Sequence, residues 1–132
     1  MDLKELTPKS DTVEVTLLHP ATMEELQNED GTPMTITLYA QHSPEYKEVF
    51  HAMTDVRLKA MSKSGKMELK AADIEQANLE ALCKTTKEWN ITFDGKKPEL
   101  TVANAEAIYK EVFWIKNQLE EGLANSLDFM NG

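Results

Sequence analysis

The chain has 132 residues, 41% hydrophobic and 28% charged, the balance of one ordinary soluble domain that can bury a core without disulfide or metal support. Its 23 Asp and Glu outnumber 14 Lys and Arg, and the formal net charge of -9 excludes a general nucleic-acid binder, which needs a basic surface to displace counterions from phosphates. No apolar run approaches the roughly 18 residues that cross a membrane, and a single cysteine, Cys83, excludes an internal disulfide framework.

Residues 1–12, MDLKELTPKSDT, lack the apolar stretch of a signal peptide, which predicts cytoplasmic synthesis, and 1–11 are expected to be a flexible N-terminus ahead of one domain over 12–128, with 129–132 a flexible end. VEVTLL at 13–18 and MTITLY at 34–39 alternate with period two and are rich in β-branched residues, so both predict strands. Pro20, a Glu-Asp-Gly turn and Pro33 lie between them, the signature of a hairpin with an elaborated loop. Its apolar face, Val13, Val15 and Leu17 with Ile36 and Leu38, needs helices to cover it.

Ser43, Pro44 and Glu45 form a helix start, and Ser64-Gly65 a stop, with Tyr46, Val49, Phe50, Met53, Val56, Leu58 and Ala60 supplying an apolar stripe between them. A second helix is predicted over about 69–88, with Ile74, Ala77, Ala81, Leu82 and Thr85 on one side. EWNITFDGKKPEL at 88–100 then breaks the helical period, and its alternation Trp89, Ile91, Phe93 predicts a short strand that buries one face. Thr101 and Asn104 are capping candidates for a third helical region. Its stripe, Ala105, Ile108, Tyr109, Val112 and Phe113, drifts at Phe113-Trp114 before resuming as Ile115, Leu119, Gly122 or Leu123, and Leu127, so a bend or two abutting helices are predicted there. The fold class is therefore α+β, an N-terminal β-hairpin packed against a mainly helical C-terminal part.

No catalytic constellation emerges. His19, His42 and His51 fall into no ligand spacing, Cys83 sits in a helical stripe beside Leu82, and the carboxylates lie at helical spacing on solvent faces. SKSGK at 62–66 has neither the length nor the preceding strand of a phosphate loop, and Asp94-Gly95 lacks the oxygen ligands of a calcium loop. The expectation is a non-enzyme without cofactor or metal. Arg57, Lys59, Lys63, Lys66 and Lys70, opposed only by Glu68, are either a solvated face or a docking surface for an acidic partner, the acidic C-terminal helix of another copy included. Trp89, Phe93, Phe113 and Trp114 bracket the interruption, and either pack together or leave Phe113 or Trp114 as an interface anchor.

The order of a helix, EWNITFDGKKPEL and TVANAEAIYKEVFWIKNQLEEGLAN resembles the tail assembly chaperones of long-tailed, siphovirus-type bacteriophages, on Trp89, Leu100, Asn104, Tyr109, Phe113, Trp114, Ile115, Gln118 and Glu121. LLHPATMEELQNEDGTPMTITLYAQHSPEYKEV resembles the opening of such proteins, so the likeness spans about residues 13–128; Phe113 stands where a proline often precedes the Trp. The resemblance implies a morphogenesis factor of the infected host's cytoplasm that binds the tape measure protein, keeps it soluble, helps recruit tail tube subunits and is absent from the mature virion. It also implies self-association and a longer form, made by translational frameshifting, that contacts the tail tube protein. Phe113, Trp114, Ile115 and Leu119 are the expected subunit or client surface, with Arg57, Lys59, Lys63 and Lys66 as its charged complement, and Trp89 and Leu100 are expected to be structural. The competing reading is a small acidic regulatory adaptor for one folded partner.

Overall fold

A computed structural model describes residues 2–3, 10–64 and 71–125, with the side chains of Arg57 and of residues 60–64 outside that description. Two strands, β1 (Thr12–Thr16) and β2 (Thr35–Tyr39), pair antiparallel in the register Val13 to Leu38 and Val15 to Ile36. This register puts the anticipated apolar residues on one sheet face, and Val15, Leu17, Ile36 and Leu38 are all buried. The connection between the strands is itself folded. Leu26 N–H donates to Leu17 O at 3.0 Å and Met34 N–H to Leu26 O at 2.9 Å, so residue 26 is held between the two strand ends.

The β1–β2 connection is tied to the rest of the sheet by Asn28. Its Nδ2 donates to Asn90 O at 3.1 Å and its Oδ1 accepts from Thr92 Oγ1 at 2.6 Å, which satisfies a buried amide through a distant segment. Gly31, at φ +85, makes the adjoining turn in a region that L residues avoid.

Helix α1 (Pro44–Ser64) starts as the sequence predicts. Ser43 Oγ accepts from Tyr46 N–H at 3.1 Å and donates to Ala40 O at 2.7 Å, capping the helix and anchoring it to the end of β2. Helix α2 (Ala71–Lys84) is shorter at its C-terminus than the predicted limit near 88, because β3 (Thr86–Asn90) begins at once. The physical reason lies in two threonines. Thr85 Oγ1 donates to Ala81 O, and Thr86 Oγ1 to Leu82 O, both at or below 2.9 Å, so side chains close the last carbonyls of α2 while the β-branched pair enters extended structure.

β3 joins the free side of β2, giving a three-stranded antiparallel sheet in the order β1-β2-β3. Thr37 faces Glu88 and Leu38 faces Thr86, so Lys87 is an extra residue, a bulge that turns the strand. The expected short strand is thus present but shifted toward the N-terminus, with Ile91 buried just past its end.

Two abutting helices follow, as the drift in the stripe requires. α3 (Val102–Glu111) is capped by Thr101, whose Oγ1 accepts from Asn104 N–H at 3.0 Å; α4 (Trp114–Ala124) begins after a break at Val112-Phe113. α4 lies against β1 and β2, α3 against α2, and the core forms between them from the sheet face, Leu79, Leu82, Ala105, Ile108, Tyr109, Ile115, Leu119 and Leu123. The architecture is the predicted α+β fold, with a third strand added to the expected hairpin. Of residues 1–11, Ser10 and Asp11 are tied down, Asp11 O accepting from Ala40 N–H at 2.7 Å and Ser10 O lying 3.0 Å from His42 Nε2; residues 4–9 and the end 129–132 lie outside the described residues.

Candidate protein-binding surfaces

The residues that carry catalysis in other proteins are here placed as structural parts. Cys83 is buried in the core, and burial first, then Glu106 and Glu80, push its thiol up to about 11, so it stays protonated near neutral pH. His19 Nδ1 accepts from Ala21 and Thr22 N–H at 3.1 and 3.2 Å and closes a turn. Burial, opposed by the hydrogen bond to Thr86, raises the Tyr109 hydroxyl well above its usual range, and that hydroxyl lies 2.8 Å from Thr86 Oγ1. Among the described residues no three His, Cys, Asp or Glu side chains gather as a metal site, and no helix is long and apolar enough to cross a membrane.

The predicted anchor cluster at the α3–α4 junction divides. Phe113 is 75% exposed, but Ile115 and Leu119 are 4% and 0% exposed, so neither belongs to a surface. The correction follows from helix geometry. Positions 115, 119 and 123 recur every four residues and form the inward stripe of α4, and Phe113, two residues before Ile115 and about 200° round the helix from it, is left outside. Trp114 is half-buried and lines an apolar cavity of about 190 Å³ with Leu17, Met34, Phe93, Ile108 and Val112. Phe113 looks the other way, onto an open groove of about 300 Å³ shared with Ala72, Gln76, Leu79, Lys110 and Lys116.

Trp89 and Leu100 are structural, as anticipated. Trp89 Nε1 donates to Pro98 O at 2.9 Å while its ring meets Tyr109 edge-on at 6.3 Å, and Leu100 packs against the core. Two other residues that carry the family resemblance, Asn104 and Gln118, also hold the fold. Asn104 Nδ2 donates to Glu99 O at 2.9 Å, and Gln118 donates to Leu18 O at 2.8 Å while accepting from Leu18 N–H at 2.9 Å. The Gln118 amide therefore serves β1 as a one-residue substitute strand.

Of the predicted cationic residues, Arg57, Lys59 and Lys63 lie on α1, and Lys59 is exposed; Lys66 and Lys70 fall outside the described residues. The larger feature is the predicted apolar stripe of α1 itself. Tyr46, Val49 and Met53 are half-buried, and Tyr46 stacks on Phe50 at 4.6 Å, but every described side chain from Thr54 to Lys59 is exposed, Val56 at 67% and Leu58 at 56%. The first residues of α2, Ala71 to Glu75, are exposed as well.

At the base of this arm, Tyr46, Phe50, Ala81, Leu82 and Leu123 line a groove of about 220 Å³ with Glu120 at its side. Composition holds a signal for the exposed arm: residues 56–64, VRLKAMSKS, carry three cations and no anion, a poor match for a helix meant to be buried. In comparisons with known proteins, no family model, no curated protein and no solved structure matches the chain.

Proposed function

We propose that this protein is a tail assembly chaperone of a long-tailed bacteriophage, a non-catalytic holder of the tape measure protein. The observation that carries the reading is the far part of α1, where Val56 and Leu58 are exposed with Lys59 exposed beside them. Apolar side chains exposed on two sides of one helix suit a long helical client, whose own apolar stripe either side can meet and keep from aggregating. Phe113 supplies a separate aromatic anchor beside the groove of α2 and α3. The net charge of -9 keeps a complex with an apolar client dispersed.

On this reading the protein acts in the cytoplasm of the infected host, associates with itself, helps recruit tail tube subunits, and is absent from the mature virion. A longer frameshifted form would carry the contact to the tail tube protein. Co-expression is the direct test: a tape measure protein that is insoluble alone becomes soluble with this chain, and loses that protection with Val56→Asp and Leu58→Asp together. A tape measure protein that stays in the pellet beside abundant soluble wild-type chain would sink the proposal.

The second reading, a small acidic adaptor for one folded partner, draws on Phe113, because a lone aromatic beside a polar groove suits a small interface. It expects Phe113→Ala to abolish partner binding while the paired Val56 and Leu58 changes leave it intact.

A further inference from the structure

We infer that the apolar cavity beside Trp114 is a binding site for one phenylalanine side chain of a partner protein. The inference does not rest on the tape measure reading, because it states which side chain a partner presents under either reading above. Four buried residues, Leu17, Ile91, Ile108 and Ile115, form the floor of the cavity. The half-buried Leu26, Met34, Phe93 and Trp114 stand nearer its mouth.

Its walls come from separate segments, each fixed by backbone hydrogen bonds. In the β1–β2 connection, Leu26 is tied to Leu17 at 3.0 Å and to Met34 at 2.9 Å. Past β3, Phe93 and Lys96 exchange backbone bonds of 2.8 and 3.1 Å around a turn in which Asp94 and Gly95 take φ of 54° and 73°. At the α3–α4 junction, Val112 N–H donates to Ile108 O at 2.8 Å and Ile115 N–H to Val112 O at 3.0 Å. Walls pinned in this way relax only in part around an empty space, so the cavity stays open for an occupant.

Chemistry selects that occupant. No charged side chain lines the cavity, and its one polar lining side chain, Thr92, already donates its hydroxyl proton to Asn28 Oδ1 at 2.6 Å. Ordered water needs several polar partners, and a metabolite is oriented by a few converging polar groups; these side chains supply neither. A side chain needs no such group, since its own backbone orients it. The volume of about 190 Å³ suits one ring, as an apolar cavity of about 150 Å³ takes a benzene molecule. Tyrosine or tryptophan would bring an O–H or N–H against an aliphatic floor, and aliphatic side chains leave more of the space unfilled. Phenylalanine is the side chain that remains.

Methyl NMR of the purified full chain, titrated with toluene, N-acetyl-phenylalanine amide and N-acetyl-tyrosine amide, tests the site. Toluene probes the ring alone, and the phenylalanine amide probes a ring carried on a backbone. The tyrosine amide adds a hydroxyl at the end of the ring that reaches the floor first. Toluene and the phenylalanine amide are expected to shift the methyl signals of Met34, Ile91, Ile108 and Ile115, with half-saturation at about 1–10 mM, and to leave that of the exposed Ile74 in place. The tyrosine amide is expected to bind about tenfold more weakly. Val112→Phe and Leu26→Phe each set a ring of the chain's own into the space from opposite walls. Whichever of them keeps a cooperative circular dichroism melt is expected to lose the binding. Methyl signals that stay unshifted with both toluene and the phenylalanine amide overturn the inference. So does a response to toluene alone, which would make this a site for free apolar molecules, or a tyrosine amide that binds as well as the phenylalanine amide. A folded cavity-filling variant that binds like the wild type overturns it too. None of these results touches client solubilisation, which co-expression decides separately.

Discussion

Leu119 and Val56 are both aliphatic residues on amphipathic helices, yet one has 0% of its surface exposed and the other 67%. Leu119 belongs to a stripe, Ile115, Leu119 and Leu123, that faces β1 and β2 across a filled core. Val56 continues a stripe whose first members, Val49 and Met53, are half-buried, while Val56 itself is exposed. Helical spacing reports that a face is apolar; it does not report what covers it. The body is held by its own packing, whereas the described side chains of α1 beyond Met53 are exposed.

The sharpest way to break this comparison is to truncate both residues. Leu119→Ala removes most of the side chain from a filled site and is expected to cost about 2–5 kcal/mol in urea unfolding. Val56→Ala is expected to change the stability of the monomer by no more than about 0.5 kcal/mol, since little is buried to lose. A Val56→Ala loss comparable with that of Leu119→Ala would mean that the arm folds onto the body in solution.

The packing of the body is next tested at Gly122. A Cβ built there falls 2.5 Å from Val15 Cγ2, closer than any real contact, so α4 approaches β1 at a distance that only glycine permits. Val15 is β-branched on a strand and has little freedom to turn aside. Gly122→Ala gains roughly 1 kcal/mol of helix propensity but incurs overpacking of about 1–3 kcal/mol, a net loss. In a Val15→Ala background the clash is gone, and the same change is expected to stabilise. A double-mutant cycle by urea unfolding reads the coupling, and additive effects would disprove the close approach.

Gln118 supplies a polar link of the same interface. Gln118→Leu leaves Leu18 N–H and C=O without the amide that satisfies both, an expected loss of about 1–3 kcal/mol. Gln118→Glu accepts from the N–H but sets a carboxylate oxygen against the Leu18 carbonyl, so it does not rescue. Amide exchange at Leu18 should quicken in both variants, whereas unchanged exchange would show the link to be dispensable.

Much of this body was legible in the sequence because its signals are local. Period-two alternation located β1 and β2 and even their buried face, the Ser43-Pro44 pair marked the start of α1, and the drift at Phe113-Trp114 marked the α3–α4 junction. β3 was misplaced because Thr85 and Thr86 continue a helical stripe in spacing, while their hydroxyls close that helix only once folded. The candidate surface was read less well. Ile115 and Leu119 follow Phe113 and Trp114 closely in sequence, but one step along a helix turns a side chain by about 100°, so nearness in sequence does not place them on the same face. Three of the residues on which the family resemblance rests, Trp89, Asn104 and Gln118, hold the fold, so they do not mark a binding face.

The smallest expected effect concerns an exposed ion pair and sharpens the contrast between core and surface. Lys97 Nζ lies 2.8 Å from Asp30 Oδ2, and Thr32 donates to Oδ1 of the same carboxylate through its N–H and its hydroxyl. The Lys97 hydrogen bond first, then those of Thr32, hold the Asp30 carboxyl well below the usual range. An acid whose folded pKa is depressed stabilises the fold above its unfolded value, about 3.9 for Asp, and loses that contribution as pH falls through the folded value. Between about pH 5 and 7 the stability difference between wild type and Asp30→Asn should therefore be constant, and it should narrow as pH falls below about 4. Because the site is exposed, salt should shrink the whole difference. Urea unfolding of both proteins across that pH range checks this, and a difference that widens toward acid would show that the carboxylate is not held by Lys97 and Thr32 in the folded protein.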